Sequence, residues 1–226
     1  MPLGKKGEIM SVEKQNFKVG DTVELGTWAF DSRGNMRKIS WLIIDKFDDG
    51  TGLLMTKYGI DTKKFNNDGG STNWEECSLR KWLNEDFLSQ AFTEKESEGI
   101  MPSTIETPNK KGLMSFLKKT ITTKDLVFLL SAEEAETFFA NDGKRKTLPT
   151  AWALQNLAYC DEGNDKACWW WLRSPGKSAS RAAYVRVGSV NEDGELSDFS
   201  GNSIRPVIKF NLNIYEQIMQ EEQQAQ

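Results

Sequence analysis

The sequence predicts a single α+β domain. Short runs of apolar and β-branched residues, typical of strands, occur along most of the chain. A few segments between them carry apolar residues at helical spacing. No proline-rich or glycine-serine linker and no internal repeat divides the 226 residues. We therefore expect one domain over residues 19–212, an N-terminal extension over 1–18, and a polar C-terminal tail over 213–226 that forms a fraying helix.

Strands are predicted in the first half of the chain from β-branched and aromatic residues that end in turn signals. They cover 19–26, 38–47 and 53–60, with an Asp-Gly hairpin turn between the last two. Residues 102–122 contain two prolines and are expected to be irregular, whereas 125–130 has the continuous apolar character of a buried strand.

Three helices are predicted from spacing and capping signals. The first covers 78–92, with Ser78 as its N-cap, and a further helical turn begins at Thr93, where Glu96 completes a capping box. Ser131 and Glu134 form the same motif at the start of a helix over 132–140. A short helix is expected within 147–158.

The last third of the chain changes to short strands separated by turn signals. The turns are Pro-Gly, Glu-Asp-Gly and Ser-Gly-Asn, and the strands are expected at 168–174, 182–190, 194–200 and 203–212.

The composition of the chain argues against several classes of function. The net charge of −4, with both signs interspersed, argues against nucleic acid as a partner, and no apolar run is long enough to span a membrane. No signal peptide is visible, so we expect a cytoplasmic protein, with a phage virion or display by a non-classical route as alternatives. The chain has no histidine. Catalysis by a Ser-His-Asp triad or a Cys-His dyad, and metal binding by histidine, are therefore excluded, and no metal or other cofactor is expected.

The three cysteines are too few for a disulfide framework and lack metal-binding spacing. Free thiols are favoured in a cytoplasmic protein, although Cys160 and Cys168 are close enough in sequence to close a small loop. The segment around them is acidic, which raises the pKa of a thiol and works against a reactive thiolate.

Five motifs in a fixed order resemble an uncharacterised family of bacterial and phage-borne domains. They are TNWEECSLRKWLN (72–84), DLVFLLSAEE (125–134), WWLRSPG (170–176), AYVRVGSV (183–190) and IRPVIKF (204–210). The resemblance covers about residues 20–212. It implies a C-type-lectin-like fold with short, mostly antiparallel strands and two or three helices. Formylglycine-generating-enzyme-like domains and the variable proteins of diversity-generating retroelements are similar in fold.

The resemblance implies a non-enzymatic domain that binds a protein or glycan through a surface corresponding to residues 177–202. In the variable proteins this region is rewritten to change binding specificity. Two alternatives stay open: a structural or interaction module of a phage particle or cell-envelope assembly, and a formylglycine-generating-like enzyme that uses Cys160 and Cys168. The oligomeric state is not predicted.

Residue types and strand alternation suggest which side chains of this segment face a ligand. In one strand over 183–190, Val185 and Val187 would point inward, and Tyr184 and Arg186, both common in binding hot spots, would point outward. A solvated polar hairpin is the alternative. The full candidate set is Lys177, Ser178, Arg181, Tyr184, Arg186, Ser189, Asn191, Asp193, Glu195, Asp198 and Phe199.

The strand CWWWLRS is predicted to be the scaffold beneath this surface. Alternation places Trp169 and Trp171 on one face and Trp170 on the other; core packing is favoured, with Trp169 lining a cleft as the alternative. Arg173 and Arg205 lie in apolar segments, so each needs carboxylate or carbonyl partners; a pair with Asp or Glu is favoured, and an anion-binding pocket is the alternative.

The segment NEDGELSD (191–198) is rich in oxygen ligands, which suggests calcium. It lacks the spacing of an EF-hand loop and the calcium motifs of sugar-binding C-type lectins. A solvated turn is therefore the favoured interpretation.

Overall fold

The computed structural model describes residues 16–70, 72–109, 119–163 and 165–224. Its strands are β1 (Thr22–Ala29), β2 (Met36–Lys46), β3 (Thr51–Thr56), β4 (Asp61–Thr62), β5 (Ile100–Met101), β6 (Ser103–Asn109), β7 (Lys119–Asp125), β8 (Val127–Phe128), β9 (Trp170–Pro175), β10 (Arg181–Arg186), β11 (Ser189–Leu196), β12 (Ser203–Ile204) and β13 (Val207–Asn211). Its helices are α1 (Ser78–Trp82), α2 (Leu88–Ala91), α3 (Glu94–Glu98), α4 (Ala132–Phe138), α5 (Asp142–Arg145), α6 (Ala151–Gln155) and α7 (Leu212–Gln224).

Two antiparallel-rich sheets build the mixed α/β core. The first has the order β1-β2-β3-β13-β5, and β8 also pairs with β13. The second has the order β11-β10-β9-β12-β4, in which only the β9–β12 pair is parallel. β12 and β13 are adjacent in sequence but belong to different sheets. The segment 203–211 therefore joins the two sheets, with Ile204 and Val207 fully buried between them.

The helix predicted over 78–92 is present but irregular. α1 runs into a π-helical turn at Leu83–Phe87 and then into α2. The N-cap is Cys77 rather than the predicted Ser78, and its Sγ accepts the backbone N–H of Arg80 at 3.4 Å. The buried Phe87 packs edge-on against Trp28 of β1, which attaches this helix to the first sheet.

Both predicted capping boxes are confirmed. Thr93 and Glu96 bond reciprocally at the start of α3, and Ser131 and Glu134 do so at the start of α4. In each box the hydroxyl of the first residue accepts the backbone N–H of the glutamate, and the glutamate carboxylate accepts the backbone N–H of the first residue. Two N–H groups at the start of the helix, which would otherwise be unpaired, are thus satisfied.

Several predicted segments differ from the structure, among them the Glu-Asp-Gly turn and the strand over 194–200, because β11 runs through that turn and ends at Leu196. Residues 103–109 and 119–122 are not irregular, because β6 and β7 form an antiparallel hairpin there. The strand predicted over 182–190 is instead a hairpin that turns at Val187 and Gly188, both with positive φ. The described residues form more helices than the two or three expected, and α5, which follows the helix predicted over 132–140, is one that the sequence did not predict.

The expected polar tail is an integral helix. Leu212, Tyr215 and Ile218 of α7 are buried in the core, and Phe17, expected in the N-terminal extension, packs edge-on against the Tyr215 ring at 5.7 Å. Residues 1–15 of that extension lie outside the described residues. No helix in the described part of the chain is long and apolar enough to cross a membrane.

Candidate functional site

β9 lies in the middle of the second sheet and places its tryptophans on both faces. Trp169, just before β9, and Trp171 contact the same ring, that of Tyr184, at centroid distances of 5.3 and 6.4 Å. Trp170 points the other way and donates its indole N–H to the carbonyl oxygen of Arg145 at 3.3 Å. The alternation of strand side chains therefore separates an aromatic face, which carries Trp169 and Trp171, from an opposite face, which carries Trp170.

The outer end of the aromatic face forms a stack at the protein surface. The half-exposed Tyr159 ring lies 4.5 Å from that of Trp169, and Trp169 lies against Tyr184. The Arg186 guanidinium covers Trp169 at 4.8 Å and lies 3.9 Å from the Asp161 carboxylate. We call Tyr159, Trp169, Tyr184 and Arg186 the aromatic site. Trp169 is its buried centre, and Tyr159 and Arg186 are its exposed rim.

Two buried polar groups beside this stack have no hydrogen-bond partner among the described residues. One is the Trp169 indole Nε1, and the other is the whole Asn202 amide, whose Nδ2 and Oδ1 are both unpaired. Ser203, the next residue, donates its N–H to the Trp169 carbonyl oxygen at 2.8 Å and pairs with Trp170 in the parallel ladder. Asn202 therefore shares the face of Trp169. An unpaired buried amide costs on the order of 1–3 kcal/mol, so we expect an ordered water or a ligand group to pair with it.

A groove of about 830 Å³ adjoins the aromatic site through Tyr159 and Asp161. Its wall is mainly aliphatic, and Leu157, at 76% exposure, is the most exposed large apolar side chain of the described residues. The remaining lining comes from Leu148, Pro149, Leu154, Ala158, Cys160, Glu162 and Lys166. Large apolar side chains exposed as a group mark a binding surface more often than a solvated one.

The hairpin of β10 and β11 carries Arg186 and is fixed at its tip. Gly188 has φ +89°, and a Cβ there would overlap the carbonyl oxygen of Asp142 in α5. The buried Arg145 donates its Nε–H to the Gly188 carbonyl oxygen at 2.6 Å and also pairs with Asp142. The hairpin tip is thus held against α5, which positions Arg186 over Trp169.

The structure brings only part of the predicted ligand-facing set together. The prediction that Tyr184 points outward is wrong: the side chain is 4% exposed, because the rings of Trp169 and Trp171 cover it. Burial raises the pKa of the Tyr184 phenol above its usual range, and the negative charge of Glu195 adds to this. Phe199 is partly buried against the core. Arg186 is exposed and belongs to the aromatic site.

The remaining predicted residues lie along the hairpin, outside the aromatic site. Lys177 pairs with Asp193 at 3.1 Å. Arg181 donates to the Gly194 carbonyl oxygen at 2.7 Å and lies 3.8 Å from Glu195. The Asn191 side chain accepts the Gly194 N–H. Three further side chains are exposed and do not contact the stack: Ser178, Ser189 and Asp198.

Arg173 has the carboxylate partner that its burial requires. Its guanidinium forms a two-pronged pair with Glu134, with Nη2 to Oε1 at 2.6 Å. It also donates to the carbonyl oxygens of Leu129 and Glu106. Glu134 is also the third residue of the α4 capping box, so one carboxylate joins α4 to β9.

Arg205 differs from Arg173, because the described residues provide no carboxylate partner for it. Its guanidinium lies over the Trp170 ring at 4.9 Å and donates from Nε to the Thr56 carbonyl oxygen, while Nη1 is unpaired. Burial lowers the pKa of Arg205 to about 10. Its charge is therefore stabilised mainly by an aromatic ring and one carbonyl, on the face opposite the aromatic site.

The thiols are free, and their raised pKa values keep them mostly protonated near neutral pH, so they react slowly as nucleophiles. Burial raises the pKa values of Cys77 and Cys168 to about 12, and it raises that of Cys160 to a smaller extent. The acidic residues near Cys160 and Cys168 in the sequence are not the main cause of the raised pKa values. No group of three cysteine or carboxylate side chains arranged to hold a metal occurs in the ranges that the structure describes.

Sequence reasoning missed Tyr159, Asn202 and the aliphatic groove. Leu154 and Leu157 were assigned to an ordinary short helix, but α6 ends at Gln155 and Leu157 takes a positive φ. The four leucine and tyrosine side chains at 148, 154, 157 and 159 lie on the outside of that segment. This unusual exposure was visible only once the fold was known.

Together these features define a class of protein: a mixed α/β domain with mostly antiparallel sheets and an aromatic surface site. A family model described as "Domain of unknown function (DUF6273)" matches residues 49–212, more than half of the chain. The chain therefore belongs to the DUF6273 family. No curated protein and no solved structure matches it.

Proposed function

We propose that this protein is a non-enzymatic ligand-binding domain of C-type-lectin-like fold, and that the aromatic site and its groove are the binding surface. One observation carries the proposal: Tyr159 and Arg186 form an exposed rim over Trp169, beside a buried Asn202 amide that has no partner among the described residues. Tyrosine, tryptophan and arginine dominate the energetics of protein interfaces.

The lining of the groove favours a protein ligand over a glycan. Leu148, Leu154 and Leu157 offer aliphatic surface that suits apolar side chains, while the Arg186 and Asp161 charges at its edge provide polar contacts. This is the usual arrangement of an apolar centre with a polar rim. A glycan would instead use the Tyr159 ring as a stacking surface, and it is the alternative outcome of the test below.

The surface proposed here is smaller than the 177–202 segment and extends beyond it. Tyr159 and the leucines come from the preceding segment, and half of the hairpin residues are engaged in holding the hairpin together. If the surface is diversified, as the retroelement resemblance suggests, substitutions are expected at Arg186 and Ser189 rather than at the buried Tyr184.

The enzyme alternative has weaker support. A formylglycine-generating-like reaction needs an accessible thiolate, but Cys168 is 1% exposed and has a pKa of about 12. The other alternative, a structural or interaction module of a phage particle or cell-envelope assembly, is compatible with the same surface, because that module would also bind a protein.

The test is to select ligands for the wild-type protein from a displayed random-peptide library and, in parallel, on a glycan array. We expect peptides with apolar side chains to be selected. A Tyr159→Ala, Arg186→Ala double variant should weaken their binding at least about 30-fold, because two hot-spot side chains are removed. Its melting temperature should change little, since both side chains are half-exposed and lie on the outer side of Trp169.

Arg37→Ala is the matched control. Arg37 lies over the Phe30 ring at 4.8 Å, the distance that Arg186 keeps from Trp169, but it is on β2 of the first sheet. Its binding should equal that of the wild type. Selection of glycans alone would change the ligand class, and unchanged peptide binding by the double variant would refute the assignment of this surface.

A further inference from the structure

Cys160 and Cys168 face each other across a short antiparallel bridge. The flanking hydrogen bonds run from Trp169 N to Tyr159 O at 3.1 Å and from Asp161 N to Ala167 O at 3.4 Å. These two bonds lie on either side of the cysteines. Cys160 and Cys168 are therefore a non-hydrogen-bonded pair of the antiparallel bridge. In such a pair the Cα atoms lie about 4.5 Å apart and both side chains point to the same side.

This spacing lies within the range for a disulfide, in which the Cα atoms are about 4.4–6.8 Å apart. The thiols are free, with the Cys168 sulfur packed toward Gly59 and Ser203 and the Cys160 sulfur 3.8 Å from the Ala158 carbonyl oxygen. Closing the bond therefore requires rotation of side chains about χ1 rather than movement of the backbone.

The two thiols differ in solvent exposure, and this difference suits an oxidation in two steps. Cys160 is partly exposed and lines the groove, whereas Cys168 is buried beneath it. A small reagent in the groove reaches Cys160 first, and Cys168 is then positioned to resolve the product. The third cysteine, Cys77, is buried at the start of α1, where its sulfur accepts the Arg80 N–H.

We propose that Cys160 and Cys168 are a modification site that is oxidised reversibly to an intramolecular disulfide by a small-molecule disulfide such as oxidised glutathione. The Cys160 thiolate attacks one sulfur of the reagent, whose S–S bond breaks and releases one thiol, leaving a mixed disulfide on Cys160. The Cys168 thiolate then attacks the Cys160 sulfur and releases the second thiol. Two protein thiols are oxidised, one small disulfide is reduced, and the two cysteine protons leave on the two released thiols.

The inference does not depend on the proposed function, because it concerns thiol chemistry that can be measured without any ligand. It does bear on the groove: the disulfide would close the loop 160–168 and fix the wall that Cys160 and Asp161 form. This loop contains two consecutive non-glycine residues with positive φ, Asp165 and Lys166, so it already holds an uncommon backbone conformation.

The experiment uses the full chain with Cys77→Ser, which leaves only the two thiols in question and keeps a hydroxyl at the N-cap. The protein is incubated with oxidised glutathione, denatured, and its thiols are counted by alkylation and intact mass. We expect the count to fall from two to none, with a mass lower by two hydrogens, a monomer on a non-reducing gel, and recovery of both thiols with dithiothreitol. The melting temperature should rise by about 5 °C on oxidation, because a short loop is closed.

Single variants separate the roles of the two thiols. With Cys168→Ser added, Cys160 should retain one glutathione; with Cys160→Ser added, Cys168 should stay unmodified in the native protein. Two free thiols after oxidation, a stable glutathione adduct on the protein with both cysteines, or disulfide-linked dimers would each overturn the proposal.

Discussion

At the scale of single residues, the buried thiols link stability to pH. The pKa values of Cys77 and Cys168 are raised to about 12 by burial, whereas an unfolded thiol titrates near 9.0. The unfolded chain therefore releases these protons first as the pH rises, and the stability that the protonated thiols provide below pH 9 is lost as the pH approaches 12.

We expect the free energy of unfolding to fall above about pH 9 by about 1.4 kcal/mol per pH unit for each buried thiol. Urea denaturation under reducing conditions, between about pH 8 and about pH 11, measures this slope. Cys77→Ser should have a shallower slope, because serine does not titrate. Equal slopes for the two proteins would contradict this prediction, because they would show that the Cys77 thiol ionises equally easily in the folded and the unfolded chain.

At the scale of elements, the β10–β11 hairpin shows how a surface residue is positioned by distant contacts. Its tip needs Gly188, because a side chain there would meet α5 and the backbone has φ +89°. Arg145, which is also in α5, donates its Nε–H to the Gly188 carbonyl oxygen. The hairpin is therefore attached to α5, and Arg186 keeps its place over Trp169.

Gly188→Ala should lower the free energy of unfolding by at least about 2 kcal/mol, from backbone strain and overlap with Asp142. It should also weaken ligand binding through displacement of Arg186. Gly163→Ala is the control, since its Cβ meets nothing within 4 Å. Chemical denaturation of both variants measures the difference, and an unchanged midpoint for Gly188→Ala would contradict the anchoring of the tip.

At the scale of the whole molecule, the domain includes α7. The segment is polar in composition, but it places Leu212, Tyr215 and Ile218 against the core and pairs Glu222 with Lys38 of β2 at 3.2 Å. A helix with this narrow apolar stripe folds because the body of the protein covers the stripe.

Ile218→Ala should destabilise the protein by about 2–4 kcal/mol through a cavity, whereas Gln217→Ala, one position away on the exposed side, should change stability by less than about 0.5 kcal/mol. Thermal and urea denaturation of the two variants measure this. Equal, small effects would indicate that α7 is a tail, as its composition alone predicted.

Features that depend on neighbouring residues were predictable. The capping boxes at Thr93 and Ser131 need only residues three positions apart, and the two faces of the tryptophan strand follow from a period of two. The hairpin turn at Val187 was not predictable, because valine is unfavourable at positive φ. Tyr184 was expected to be exposed, because the sequence does not show that Trp169 and Trp171 cover its face of the strand.

The sequence by itself determined the α+β class, the capped helix starts at Thr93 and Ser131, and the burial of Trp169, Trp170 and Trp171, because each of these follows from local hydrogen bonds or the periodicity of apolar side chains. Only the tertiary structure decided the aromatic site. Tyr159 and Arg186 meet at Trp169 because the hairpin folds back onto α5, and Asn202 comes to the face of Trp169 because β12 pairs with β9. Such contacts depend on how elements far apart in the chain pack together, and no short-range pattern encodes that packing.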